Sequence, residues 1–180
     1  MIIAKHFFLT KGVGVDKDKL ASFEAALRNA GIAPFNIVKV SSILPPGCKL
    51  IPKEKGIKIL TYGEVIFCVM SENQTNEPLR LIGASVGVAI PGDKSQYGYL
   101  SEHHTFGKSA KKIGNYVEDI AAYMLATTLG EKVKTEEIEK NKHLWKISGK
   151  IVRTMNITQT ARGNKDGLWT TVIAAAVLVP

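Results

Sequence analysis

The sequence predicts an α+β fold, with antiparallel or mixed sheet and helices on the outer faces. Three observations lead there. Runs of β-type residues at 62–70, 81–90 and 97–104 follow one another with no helix between them. One long amphipathic helical stretch covers 109–129. Two further β runs, 150–161 and 168–179, flank Gly163-Asn164-Lys165-Asp166-Gly167, a strong hairpin signal. Consecutive strands with interspersed helices favour α+β over a parallel α/β fold.

The elements follow in order. Residues 2–10 read as a first strand, ended by Lys11-Gly12-Val13-Gly14. Asp16 or Asp18 can cap a helix running to about Asn29, and Gly31 is a natural stop. Leu20, Phe23, Ala26, Leu27 and Ala30 share one face at helical spacing. Residues 36–41 alternate as a strand, and Pro45-Pro46-Gly47 forces a loop after it. Pro91-Gly92-Asp93-Lys94 is a turn between two of the β runs. In the long helix, Ile113, Tyr116, Val117, Ile120, Ala121 and Met124 fall on one face, with Gly130 after it. Residues 135–143 read as a short helix.

Composition bounds the function. The chain has 180 residues, 45% hydrophobic and 22% charged. That is an ordinary globular composition and the length of one domain, 1–180. The longest apolar run, 172–179, is too short for a membrane helix, and no secretory signal opens the chain. A cytoplasmic protein with no membrane partner is expected. Cys48 and Cys68 form no C-x-x-C pair, and no Cys/His cluster has zinc spacing, so no metal is expected. The net charge of +8 permits nucleic-acid binding, but the lysines are scattered among apolar residues and acids. No arginine-rich arm or aromatic RNA-binding motif accompanies them, which makes a nucleic-acid partner the weakest reading.

The most unusual local sequence is Asn36-Ile-Val-Lys-Val-Ser41-Ser42-Ile43-Leu44-Pro45-Pro46. A strand runs into two serines, and prolines stiffen the exit. Taken alone, the two serines simply end a strand with local hydrogen bonds. No G-x-S-x-G elbow, S-x-x-K pair or Walker loop competes for a catalytic role.

This segment resembles the self-cleavage site of the pyruvoyl-dependent arginine decarboxylases. The likeness continues through Phe23-Glu24-Ala-Ala-Leu27-Arg-Asn29-Ala-Gly31 and Val88-Ala-Ile-Pro91-Gly-Asp93-Lys94-Ser95. It extends to Gly98-Tyr-Leu-Ser-Glu102 and to the apolar strand with Ala174-Ala175-Ala176. The resemblance implies an αββα sandwich and a trimer with active sites between neighbours. It implies cleavage between Ser41 and Ser42, giving fragments 1–41 and 42–180. The second would carry a covalent pyruvoyl group derived from Ser42, with no metal and no pyridoxal phosphate. Serine fits position 42 chemically, because the reaction needs a β-oxygen that first attacks and then leaves. Asn36 is similar to the amide that steadies the oxyanion, with a cap or turn amide as its plain alternative.

The implied reaction converts L-arginine to agmatine and carbon dioxide, toward polyamine synthesis. The pyruvoyl carbonyl would condense with the substrate amine and accept the electrons released on decarboxylation. Glu102 matches the family's proton donor. Tyr97, Tyr99, Leu100 and Phe106 are the apolar neighbours expected to keep it protonated. Glu24 is similar in position to the acid that receives the guanidinium, where an aspartate is expected. An ion pair with Arg28 at i+4 is its other reading. Leu20, Leu27, Ala33, Phe35 and Ile43 are the remaining substrate-binding candidates. Decarboxylation of histidine or ornithine, or an unprocessed non-enzymatic relative, are the competing functions.

Overall fold

The computed structural model describes residues 3–130, 144–147 and 150–180. The elements are β1 (His6–Asp16), α1 (Lys19–Ala30), β2 (Asn36–Lys39), β3 (Ile43–Leu44), β4 (Lys49–Leu50) and α2 (Lys53–Ile59). They continue with β5 (Val65–Thr75), β6 (Leu81–Ile90), β7 (Gly98–Phe106), α3 (Ala110–Thr128), β8 (Leu144–Ile147), β9 (Lys150–Arg162) and β10 (Trp169–Val179). One sheet has the order β2-β5-β10-β1-β4, the other β3-β7-β6-β9-β8. Most pairings are antiparallel; β2 with β5 and β1 with β4 are parallel. Helices α1 and α2 cover the outside of the first sheet and α3 the outside of the second, giving the expected αββα sandwich.

Strand β10 lies at the centre of the molecule. Val172, Ala174 and Ala176 face the layer between the sheets, while Ile173, Ala175, Val177 and Val179 face the layer beneath α1. Both faces are buried, so from Val172 onward the strand is continuously apolar and not alternating. The Gly163–Gly167 turn does not close a hairpin. β9 pairs with β6 and β8, whereas β10 pairs with β1 and β5, so the turn carries the chain from one sheet to the other. Each flanking strand satisfies its edges within a different sheet, which local turn chemistry does not reveal.

Three further expectations change. Strand β1 does not stop at Lys11 but runs through Gly12 and Gly14. A Cβ at Gly12 would lie 2.2 Å from the Ala26 carbonyl oxygen, and one at Gly14 would lie 2.1 Å from that of Ser22. These glycines let α1 rest directly on the strand rather than end it. The Lys53–Ile59 helix was not expected; it packs Gly56 against the Phe8 ring. In α3 the buried stripe is Ile113, Val117, Ala121, Ala122, Leu125 and Ala126, and Tyr116 is exposed. The predicted helix at 135–143 lies outside the described residues.

Candidate active site

Helix α1 is defined by its ends. The Asp18 side chain accepts from the Ala21 amide at 2.9 Å, and Gly31 takes a left-handed φ of 77° as the stop. After it, β2 lies at the edge of the first sheet with β5 as its one neighbour. The Val40 amide donates to the Cys68 carbonyl at 3.0 Å, the last tie to that sheet. Two residues on, the Ser42 carbonyl accepts from the Leu100 amide at 2.7 Å, the first tie to the other sheet. Ile43 and Leu44 then pair with Tyr99 and Gly98. The Ser41–Ser42 peptide therefore bridges the two sheets. Val40 and the buried Leu44 both enter the apolar layer between the sheets and pin the bridge from either side. Ser41 is exposed and Ser42 half-buried.

Glu102 lies on β7, two residues beyond Leu100. Strand alternation sends Tyr99, Ser101 and His103 toward α3. Tyr99 Oη is 3.0 Å from Thr128 Oγ1, Ser101 Oγ donates to the Val117 carbonyl at 2.6 Å, and the His103 ring centre is 4.6 Å from that of Tyr116. Tyr99 thus stands on the face away from Glu102, and Tyr97 stacks edge-on with Tyr99 at 5.9 Å. Phe106 is exposed beneath the Arg80 guanidinium. Of the four expected neighbours, only Leu100 is fully buried, and Glu102 itself is exposed at the seam. Burial pushes the Cys68 thiol up to about 11; Lys39 opposes that rise and Glu102 adds to it.

Apart from Ile43, the other candidates lie on α1, on β2 or between them. Asn36 begins β2, and its Nδ2 donates to the Gly63 carbonyl at 2.7 Å. The rest of that strand, roughly 10 Å from Asn36 to Lys39, and then Val40 lie between it and Ser41. Glu24 is exposed on α1, with Arg28 Nη2 at 2.5 Å. Leu20 is 73% exposed, so the predicted buried face of α1 loses its first member. Leu27 packs partly against the core beneath α1, and Ala33 is half-buried. Phe35 is a core residue, edge-on to Tyr62 at 6.3 Å. Ile43, beside Ser42, is 42% exposed. The Leu100 amide and the Lys39–Glu72 ion pair, 2.7 Å long, also stand next to the bridge and are not among the groups that the sequence points to. Both depend on strands distant in sequence and leave no local signal. Among the described residues, no group of three or more His, Cys, Asp or Glu is arranged to hold a metal. No described helix is long and apolar enough to cross a membrane.

The pyruvoyl-dependent arginine decarboxylase family matches residues 6–180. A protein of Chloroherpeton thalassium, described as a probable pyruvoyl-dependent arginine decarboxylase, is 54% identical over 99% of this chain and 98% of its own. The pyruvoyl-dependent arginine decarboxylase of Nitrosopumilus maritimus is 52% identical over the same shares. A probable one from Chlorobium phaeovibrioides is 56% identical over 96% of each chain.

Proposed function

Because the chain belongs to the pyruvoyl-dependent arginine decarboxylase family, we propose that Ser42 is the source of its pyruvoyl group and that residues 1–180 mature as one domain by cleavage at Ser41–Ser42. The enzyme is a carboxy-lyase that converts L-arginine to agmatine and carbon dioxide. The observation that carries the maturation reading is the bridge itself: Val40 is tied to one sheet and Ser42 to the other. Cleavage between them leaves both new ends anchored in a shared core.

The residues suit the chemistry. Ser42 Oγ attacks the Ser41 carbonyl carbon; a C–O bond forms as the amide C–N bond breaks, and the hydroxyl proton passes to the new amine. Loss of the Ser42 Cα proton then breaks the Cβ–O bond, and Ser41 leaves as a carboxylate. The dehydroalanine at position 42 tautomerises to an imine, and water replaces its nitrogen as ammonia. The Leu100 amide holds the Ser42 carbonyl still through these steps. Once formed, the pyruvoyl group supplies the electron sink for decarboxylation.

The remaining roles fall to side chains of this protein. Glu102, near Ser42 on β7, carries the proton for the substrate Cα. Glu24 binds the substrate guanidinium; its pairing with Arg28 is already a carboxylate–guanidinium contact. Leu20, Leu27 and Ile43 border the aliphatic part of the substrate, with Ala33 and Phe35 behind them. Asn36 is held on the Gly63 carbonyl and Glu24 on Arg28, and in this reading the complete site forms between copies in a homotrimer. Support for that assembly comes from the exposed apolar side chains Leu20, Val38, Ile43 and Val65. The buried free thiols of Cys48 and Cys68 support a cytoplasmic setting.

The test is an intact mass under denaturing conditions. Two fragments, 1–41 and 42–180, with the second blocked at its N-terminus, are expected. A single full-length chain in an active preparation would refute the Ser42 origin of the pyruvoyl group.

A further inference from the structure

Strand β2 is short, lies at a sheet edge and has one neighbour, so few interactions set where its end points. Backbone pairing runs Asn36–Lys39 along Val65–Cys68. Side chains add an anchor at each end. At the start, Asn36 holds the Gly63 carbonyl. At the end, Lys39 Nζ lies 2.7 Å from Glu72 Oε2 on β5. Lys39 stands opposite Cys68, on the helix-covered face that also receives Ile37 and Ile66. Val40 follows with the last bond to β5, and the next residue is Ser41.

We propose that Lys39 is a positioning residue for maturation: through Glu72 it fixes the end of β2 on β5, so that the Ser41 carbonyl is presented to the Ser42 hydroxyl. This rests on cleavage at Ser41–Ser42. On the downstream side, the Leu100 amide and the β3–β7 pairing already hold Ser42. On the upstream side, Val40 packs into the apolar layer, and among the described residues the Lys39–Glu72 pair is the polar side-chain contact nearest the bond. Intramolecular attack depends steeply on placement; a displacement of about 1 Å costs on the order of a hundredfold in rate. The pair is half-exposed, with side-chain exposures of 50% and 39%. Pairs in such settings add little to fold stability. Removing it therefore shifts the geometry of the bond more than the folding of the chain. Glu72 has no part in the chemistry and acts through Lys39.

The experiment follows freshly synthesised full-length chain by denaturing gel and intact mass. It compares K39M, E72Q and the exchanged pair K39E/E72K with the wild type, with a thermal melt of each. Both single variants are expected to form the two fragments about tenfold more slowly, with melting temperatures close to wild type. The exchanged pair is expected to recover most of the rate, which a purely structural loss would not allow. A wild-type rate in K39M or E72Q overturns the proposal. So does an exchanged pair as slow as the single variants, or slowing matched by a large drop in melting temperature. A wild-type chain that never cleaves at Ser41–Ser42 refutes the maturation reading itself, and is told apart because it needs no variant.

Discussion

The Leu100 amide donates to the Ser42 carbonyl at 2.7 Å, and Leu100 stands two residues before Glu102 on the same strand. One strand of the second sheet therefore holds Ser42 and carries Glu102; under the proposed mechanism, maturation and turnover both draw on this short stretch of β7. Leu100 is wholly buried between the sheets, which keeps its amide from moving.

Ser42→Ala should remain a single chain of about 19.6 kDa and form no agmatine. Alanine has neither the oxygen to attack Ser41 nor the leaving group for elimination. Intact mass and a carbon dioxide release assay check both halves. Cleavage of this variant at the same bond would exclude the mechanism.

Glu102→Gln should still cleave, yet lose about 10²- to 10⁴-fold in turnover, the usual scale for a positioned proton donor. Steady-state kinetics on the cleaved variant measures it. Normal decarboxylation would move the donor role to another residue.

Glu24→Ala should weaken arginine, cutting kcat/KM about ten- to a hundredfold, the scale of a charged hydrogen bond. Glu24→Asp should keep most of it, because the charge remains. Equal kinetics for wild type and Glu24→Ala would leave Glu24 as no more than the partner of Arg28.

Gly12→Ala should destabilise the chain. Its Cβ would meet the Ala26 carbonyl at 2.2 Å and the Ala30 amide nitrogen at 2.8 Å, so α1 must lift from β1. Overpacking of this kind costs about 1–3 kcal/mol, which lowers Tm by roughly 2–4 °C per kcal/mol in a chain of this size. Calorimetry tests it, and an unchanged Tm would contradict the contact.

Both thiols are pushed up to about 11 by burial, from an ordinary value of 9.0. The thiol form is favoured more in the folded than in the unfolded chain. That stability is complete below pH 9 and is lost as pH rises from about 9 to 11. Replacing Cys48 and Cys68 with alanine should flatten the alkaline limb of a stability-against-pH curve over that window. Iodoacetamide should modify the native thiols at pH 8 far more slowly than the unfolded ones; equal rates would mean that neither thiol is shielded.

Much of the fold was legible because its signals are local. Asp18 and Gly31 bracket α1 as their chemistry requires, and Ser109 caps the long helix by accepting from the Lys112 amide. The misreadings share one cause. Gly12 and Gly14 look like a turn until α1 is laid across them. Gly163–Gly167 looks like a hairpin until β9 and β10 are assigned to different sheets. Leu20 fits a buried helical face by spacing, but no described element covers it.

The sequence by itself determined the fold class and the family, and it is what nominates the two serines and the acids Glu24 and Glu102, because residue type, order and spacing are written along one dimension. Tertiary structure decided the rest. It stretched Ser41–Ser42 from one sheet to the other, put Leu100 against Ser42 and set Lys39 on Glu72. Those relationships join strands far apart in sequence. Their geometry comes from packing two sheets about a shared apolar layer, and no local propensity encodes which strand edges meet there.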